Sequence, residues 1–225
     1  MDDAESVGVE PIISKGLIGI HKVITRGFSV SNDNIQIFIQ HDPSDAETFG
    51  GFLDYLQSLT TLVHAHHSTE DEVVFPIFKR ELMVAPYDLL KKGHVKMEGL
   101  LDQINPIIRN PDLHNEDTAS MLKLQDLVQS LSDLWAPHIE IEECRFSQNT
   151  IAEYLNTEEQ RKLSLKIGEQ MQKNSDPVYM IIPFIYYNLS GRARDLMAPF
   201  LPPNTNFLLN SWKDHWMPMK PFFLD

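Results

Sequence analysis

Four stretches of the chain each carry an apolar seam in which successive residues are three or four positions apart, and each seam contains one histidine. These histidines are His21, His66, His94 and His138. Such spacing is typical of amphipathic helices, and no stretch shows the period-two alternation of a half-buried strand. Short polar links, such as HDPSD at 41–45, separate the stretches. The pattern predicts an all-α fold, an up-down antiparallel four-helix bundle.

The predicted helices follow from breakers and caps. We expect four bundle helices over about 12–32, 45–83, 86–108 and 118–148, and a shorter fifth helix over 157–173. Thr157 begins a capping-box pattern for the fifth helix. We therefore expect a bundle over residues 1–150 and a helical C-terminal extension over 151–225, whose apolar tail packs on the bundle.

The second helix divides its polar residues between two faces. At about 100° per residue, Glu70 lies on the same face as His66, inside the apolar stripe of Leu59 and Val63. The polar residues His64, His67 and Asp71 fall on another face, about 100–160° away. We therefore expect His66 and Glu70 to point into the core. His64, His67 and Asp71 should point away from the core. An alternative is that these three side chains form a second, exposed metal site.

The other three predicted helices also place a histidine within their apolar stripe. In the fourth helix a leucine seam over 124–134 continues directly into His138 and Glu142, and Glu143 lies about 100° further round as a weaker candidate. In the third helix, His94 and Glu98 share one stripe. The first helix contributes His21 alone.

Seven ionisable side chains are thus predicted to meet in one core. They are His21, His66, Glu70, His94, Glu98, His138 and Glu142. Burying carboxylates and imidazoles without partners is costly, so the core needs a cation. Imidazole with carboxylate suits iron, manganese or zinc, and one ion cannot use seven ligands. The alternative without a metal is that each core histidine is simply hydrogen-bonded and that the His/Glu pairs four residues apart lie on the surface. Four independent placements of a histidine on a core face argue against this alternative.

Composition narrows the function classes. The formal net charge of −13 argues against nucleic acid and anionic membrane surfaces as partners. A single cysteine excludes an internal disulfide and favours a cytoplasmic location. The most apolar stretch, 177–189, is too short for a membrane span and contains two prolines, so we expect it to be buried or interfacial.

Two motifs resemble those of the hemerythrin-like, or HHE cation-binding, family. The segment HHSTEDEVVFP at 66–76 is similar to the family's second-helix motif, and HIEIEE at 138–143 to its fourth-helix motif. His21 in GIHKVI and His94 in KKGHVKMEGLLDQI match the histidines of the first and third helices. The resemblance covers about residues 12–148, and the C-terminal third is similar to extensions of fungal members.

The resemblance implies a non-haem di-iron centre in the bundle. Its terminal ligands would be His21, His66, His94 and His138, and two carboxylates, Glu70 and Glu142, would bridge the iron ions. Oxygen-carrying hemerythrins place a second histidine four residues after the third-helix histidine, where this chain has Glu98. That departure argues against reversible oxygen carriage. Glu98 either ligates a metal or hydrogen-bonds to a ligand.

The expected function is therefore iron, oxygen or redox handling, as a sensor or store, with metal ions and dioxygen or another small diatomic as partners. No catalytic residue is assigned. One alternative is a di-iron enzyme that processes oxygen, peroxide or nitric oxide. Another is a metal-free helical interaction module that docks through its apolar tail, which also offers a surface for oligomerisation.

Overall fold

A computed structural model describes residues 13–41, 46–81, 83–110, 113 and 118–224, and these residues contain helices but no strand. The bundle helices are α1 (Ile13–Gln40), α2 (Ala46–Thr69), a π-helix (Glu70–Val74), α3 (Phe75–Arg80), α4 (Tyr87–Ile108) and α5 (Thr118–Arg145). The helices that follow are α6 (Gln148–Tyr154), α7 (Thr157–Asn174), α8 (Val178–Tyr187), α9 (Gly191–Met197), a 3-10 turn (Ala198–Phe200), α10 (Thr205–Ser211), α11 (Lys213–Trp216) and a second 3-10 segment (Met217–Phe222).

The four long helices close into a ring. α1 packs against α2 and α5, and α4 packs against the same two helices from the other side. The interior of the ring is filled by fully buried side chains, among them Ile24, Phe28, Leu59, Leu124 and Trp135. The predicted all-α bundle with additional C-terminal helices is therefore confirmed.

Some predicted boundaries differ from the observed ones. α1 continues to Gln40, past the predicted end near Asn32. The added turns are held by packing, because Ile35 is fully buried and Phe38 contacts Phe49 and Phe52. The predicted fifth helix is α7, and its cap is Asn156, one residue before the predicted cap at Thr157. The side-chain oxygen of Asn156 accepts a hydrogen bond from the N–H of Glu159. The predicted turn at 41–45 lies outside the described residues, except for His41.

The second bundle helix changes its winding at Glu70. The N–H of Phe75 bonds to the carbonyl oxygen of Glu70, five residues back, so the segment is a π-helix and not an α-helix. Pro76, which follows at once, cannot donate a helix hydrogen bond and crowds the preceding turn. A wider turn relieves that crowding, and such π segments are frequent at functional sites.

The C-terminal helices pack along one side of the bundle. α7, α8 and the 3-10 segment at 217–222 contact α2, while α9 contacts α1. Arg26 of α1 ties the parts together, because its guanidinium donates to the hydroxyl of Tyr55, the side-chain oxygen of Asn188 and the carbonyl oxygen of Phe222. The apolar stretch at 177–189 is α8, whose Ile181 and Phe184 lie in the core. No helix in the described ranges is long and apolar enough to cross a membrane.

Glycines on the bundle helices permit this close packing. A Cβ in place of the hydrogen at Gly19 would overlap the side chain of Met197, and one at Gly51 would overlap the carbonyl of Pro218. The 3-10 segment at 217–222 can therefore approach α2 this closely only because residue 51 is glycine, whereas a larger residue at position 19 would require Met197 to move.

Candidate metal centre

Seven buried imidazoles and carboxylates meet inside the bundle. They come from every wall of the ring: His21 from α1, His66 and His67 from α2, Glu70 from the π-helix, His94 from α4, and His138 and Glu142 from α5. They form three overlapping groups, and within each group the potential ligand atoms lie within 4.8 Å of one another. The arrangement is therefore a single polar cluster.

One half of the cluster joins α1 to α2. Nε2 of His21 lies 3.4 Å from Oε2 of Glu142, and Nε2 of His66 lies 3.5 Å from Oε2 of Glu70. These four side chains form one of the three groups. Two imidazole nitrogens and two carboxylates thus surround the same small volume.

The other half joins α2 to α4 and α5. The Nε2 atoms of His94 and His138 are 3.0 Å apart, and Oε1 of Glu142 lies 3.0 Å from Nε2 of His138. The ring of His67 stacks on that of His94 with centroids 4.4 Å apart. Glu70 and Glu142 belong to groups in both halves, so each carboxylate lies between the two sets of imidazoles.

Contacts with Trp135 and Gly93 hold the imidazoles of the cluster in place. The ring of Trp135 contacts His21 and His66 edge-on and forms an apolar wall behind them. A Cβ at Gly93 would lie 2.8 Å from Nδ1 of His138, so glycine before His94 lets α4 approach the α5 histidine. The imidazoles are therefore held by close contacts that limit their rotation.

The imidazoles of the metal-free cluster differ in their affinity for protons. Burial opposes charge on His21, but the neighbouring carboxylates of Glu142 and Glu143 outweigh it and raise the pKa of His21 to about 9. Burial also opposes charge on His94, yet the carboxylates around it raise its pKa to about 11. Burial lowers the pKa of His67 to about 4. Some of the rings are thus protonated and others neutral at neutral pH.

The two central carboxyl groups differ in the same way. Burial raises the pKa of Glu70, and the negative charge of Glu142 adds to this effect. Burial also disfavours the carboxylate of Glu142, but the surrounding imidazoles of His138, His21 and His94 hold its pKa well below the usual value. Without a cation, protons must therefore balance the charge of the cluster.

Several polar atoms of the cluster lack a hydrogen bond within the described part of the chain. They are Nε2 of His21, His66 and His67 and both carboxylate oxygens of Glu70 and Glu142. Leaving such atoms buried and unpaired is costly. All of them are potential metal ligands, and nitrogen with carboxylate oxygen suits iron, manganese or zinc. The residues present therefore fit a cation-binding site.

Carboxylates contact the opposite nitrogen of three of the rings. Glu143 Oε1 lies 2.9 Å from Nδ1 of His21, and Asp71 Oδ2 lies 3.2 Å from Nδ1 of His94. Glu98 Oε1 lies 3.1 Å from Nδ1 of His67. A carboxylate on the far nitrogen fixes the tautomer and orientation of a metal-binding imidazole. Each contact thus leaves Nε2 free to face the centre of the cluster.

The structure brings six of the seven predicted side chains together: His21, His66, Glu70, His94, His138 and Glu142. Glu98 lies outside all three groups, and its half-exposed carboxylate contacts His64 and His67. Of the two roles considered for Glu98, metal ligand or hydrogen-bond partner of a ligand, its position therefore matches the second.

The predicted orientation of His67 and Asp71 is wrong. His67 is 2% exposed and belongs to the group with His94 and His138, while Asp71 contacts His94. α2 is buried on two sides, against α1 and against α4, so a helical projection with one buried face misplaced them. A second seam of Leu56, Val63 and His67, spaced seven and four residues apart, is the signal that could have revealed it.

Comparison with known proteins identifies a family for most of the bundle. The model of the hemerythrin HHE cation binding domain family matches residues 16–147, which contain all seven side chains of the cluster. No curated protein and no solved structure matches the chain.

Proposed function

We propose, because the chain belongs to the hemerythrin HHE cation-binding family, that its buried cluster holds two iron ions for oxygen or redox handling. The observation that carries the proposal is the set of unpartnered, buried nitrogen and oxygen atoms that converge in the bundle. Two overlapping groups share the same two carboxylates, which supports two ions and not one. Bound iron would supply redox chemistry toward dioxygen or another small diatomic.

The proposed ligands follow the two halves of the cluster. His21 and His66 would bind one ion, and His67, His94 and His138 the other, with two carboxylates, Glu70 and Glu142, in reach of both. His67 is the addition to the set expected from the sequence. It brings an imidazole from α2 to the ion beside α4, where oxygen-carrying hemerythrins use a second third-helix histidine and this chain has Glu98.

The surrounding residues would orient the ligands and limit access of water. Glu143, Asp71 and Glu98 each hold the outer nitrogen of one ligand ring. Trp135 closes the side behind His21 and His66. Within this proposal the cluster serves sensing or storage, and no residue is assigned a catalytic role. The single cysteine supports a cytoplasmic setting.

Metal analysis of protein purified without added metal tests the proposal. We expect about two iron ions per chain, with the near-ultraviolet absorption of a bridged ferric pair. The Glu70→Gln variant should lose most of this iron, because a neutral amide is a poor ligand for iron. Glu72→Gln, on the same π segment but exposed, is the matched control and should keep it. Purified protein that contains no metal, and binds none when iron is supplied, would contradict the proposal.

A further inference from the structure

A cavity of about 760 Å³ lies between the bundle and the C-terminal helices. Pockets that bind small organic molecules typically measure about 300–1,000 Å³. Protein interiors are otherwise close-packed, with few voids larger than a water molecule. A space of this size is large enough to hold a small organic molecule.

Three helices turn a complete face toward this cavity. Each face follows helical spacing: Ile13, Gly16, Leu17 and Ile20 from α1, Arg161, Ser164, Leu165 and Gly168 from α7, and Val178, Ile181, Ile182 and Ile185 from α8. The α1 and α8 faces are wholly apolar. In a close-packed fold, such faces would contact one another. Here they surround a common space instead.

The cavity reaches the metal cluster at one end and the surface at the other. His66 and Glu70 are part of its wall, and so are Arg161 and Leu165, which are exposed. At the outer end the guanidinium of Arg161 is paired with the carboxylate of Glu158, at 2.8 Å and 2.9 Å. Thr69, in the wall, donates its hydroxyl to its own helix. The other polar side chains of the wall are Ser164, Gln172, Ser175 and Trp212, and most of the remaining wall is apolar.

We infer that this cavity binds an uncharged lipophilic molecule, such as one with a long hydrocarbon chain, and positions one end of it beside the metal cluster. Burial of apolar surface would drive binding, at about 25 cal/mol per Å² of apolar surface removed from water. Residues 1–10 contain four acidic side chains, whose burial against such a wall would be costly. Placement beside metal ions rests on the proposed function, whereas binding in the cavity does not.

Gly168 offers a direct test of the site. It lies on the cavity face of α7, and a Cβ at this position would meet no atom within 4 Å. Gly168 is exposed, so the Gly168→Phe variant should narrow the cavity at its outer end without a clash. A Cβ at Gly50 of α2 would also meet no atom within 4 Å, but Gly50 is not part of the wall, so Gly50→Phe is the matched control.

The experiment titrates each protein with the fluorescent hydrocarbon amine 1-aminoanthracene, followed by displacement with 1-dodecanol. Wild type and Gly50→Phe should bind the probe saturably and release it to 1-dodecanol. Gly168→Phe should bind about tenfold more weakly, because the ring takes the place of ligand. The inference would be overturned if wild type showed no saturable binding of the probe, or if Gly168→Phe bound the probe as tightly as wild type does. Circular dichroism of each variant checks that it folds.

Metal content measured on the same samples separates the two proposals. Probe binding by protein that takes up no metal even when iron is supplied supports the cavity and contradicts the di-iron function. Metal-loaded protein without saturable probe binding contradicts the cavity alone. With cobalt(II) in the cluster, 1-dodecanol should change the visible absorption of wild type. Displacement of the probe without such a change would contradict the placement of the ligand beside the metals.

Discussion

Oε1 of Glu98 lies 3.1 Å from Nδ1 of the buried His67, and Oε2 of the same carboxylate lies 2.8 Å from Nδ1 of the exposed His64. One carboxylate thus connects α4 to two histidines of α2 that differ widely in burial. Burial disfavours the charged form of Glu98, yet hydrogen bonds with the two imidazoles hold its pKa below the usual value. Glu98 is therefore an acceptor that orients His67 at neutral pH.

The first prediction concerns this orienting role. Glu98→Ala should weaken metal binding by about 10–100-fold, the usual effect of losing a hydrogen-bonding partner of a ligand. His64→Ala removes the other contact of the same carboxylate and should change the affinity far less. Competition with a chromogenic chelator measures both. Equal affinities of Glu98→Ala and wild type would contradict the role.

The second prediction compares three histidines of one helix. His66→Ala and His67→Ala should each lower the metal content, because both side chains belong to groups of the buried cluster. His64, whose side chain is 54% exposed, is the matched control and should not. Elemental analysis of the purified variants gives the result. Full metal content in His67→Ala would remove His67 from the ligand set.

The third prediction concerns stability when metal is removed. Metal that binds only the folded state at a free concentration of about 100 Kd adds about 2.7 kcal/mol to the free energy of unfolding. For a chain of this size, that corresponds to a rise in Tm of about 5–11 °C. Chelation followed by calorimetry should show this loss, and re-addition of iron should reverse it. Identical Tm values with and without metal would argue against a site in the folded core.

The fourth prediction concerns the pH dependence of the metal-free protein. The folded protein raises the pKa of His21 from 6.5 to about 9, so it binds this proton more tightly than the unfolded chain does. The stabilisation is complete below about pH 6.5 and is lost as the pH rises to about 9. Its size is on the order of 3 kcal/mol. The raised pKa of Glu70 acts in the same direction, because its carboxyl keeps a proton that the unfolded chain has released.

Urea unfolding of the metal-free protein between pH 6 and 9 measures this loss. His21→Gln should make the loss less steep, since the variant lacks one titrating ring while Glu70 and His94 remain. Metal should stabilise the wild type increasingly over the same range, because protons compete with it for the ligands. A free energy of unfolding that rises with pH in the metal-free protein would contradict the assignment.

The fifth prediction concerns the attachment of the C-terminal helices. Arg26→Ala removes a guanidinium that donates to Tyr55, Asn188 and the carbonyl of Phe222. Losing even one hydrogen bond to a charged donor costs about 1.5–3 kcal/mol. Tm should therefore fall by at least roughly 3–12 °C, and limited proteolysis within 188–224 should accelerate. Lys22→Ala, one turn earlier on α1 and exposed, should change neither.

Much of the fold and most of the cluster could be predicted from helical spacing. The seam of α5 leads through Leu124 and Leu131 to His138 and Glu142, and these side chains point inward as expected. His67 could not be assigned from a single face, because α2 is covered by α4 as well as by α1. The π-helix at Glu70 was likewise hidden, since it depends on Pro76 and on tertiary packing and not on local spacing.

The contacts between the extension and the bundle were the least predictable part. They depend on which loops bring distant segments together, as when the carbonyl of Phe222 meets Arg26. Residue types in the tail showed only that it is apolar. The cavity shared by α1, α7 and α8 follows from the placement of those helices and has no signature in any one of them.

The glycines at positions 19 and 51 indicate which relatives of this chain carry a similar C-terminal extension. Each lies on the bundle where a side chain would collide with the C-terminal part of the chain, with Met197 or with Pro218. A bundle that stands alone has no such neighbour and is free to carry larger residues there. In relatives of this chain, small residues at the matching positions should therefore mark those genes that encode a similar extension, even where the extension itself has diverged beyond detection.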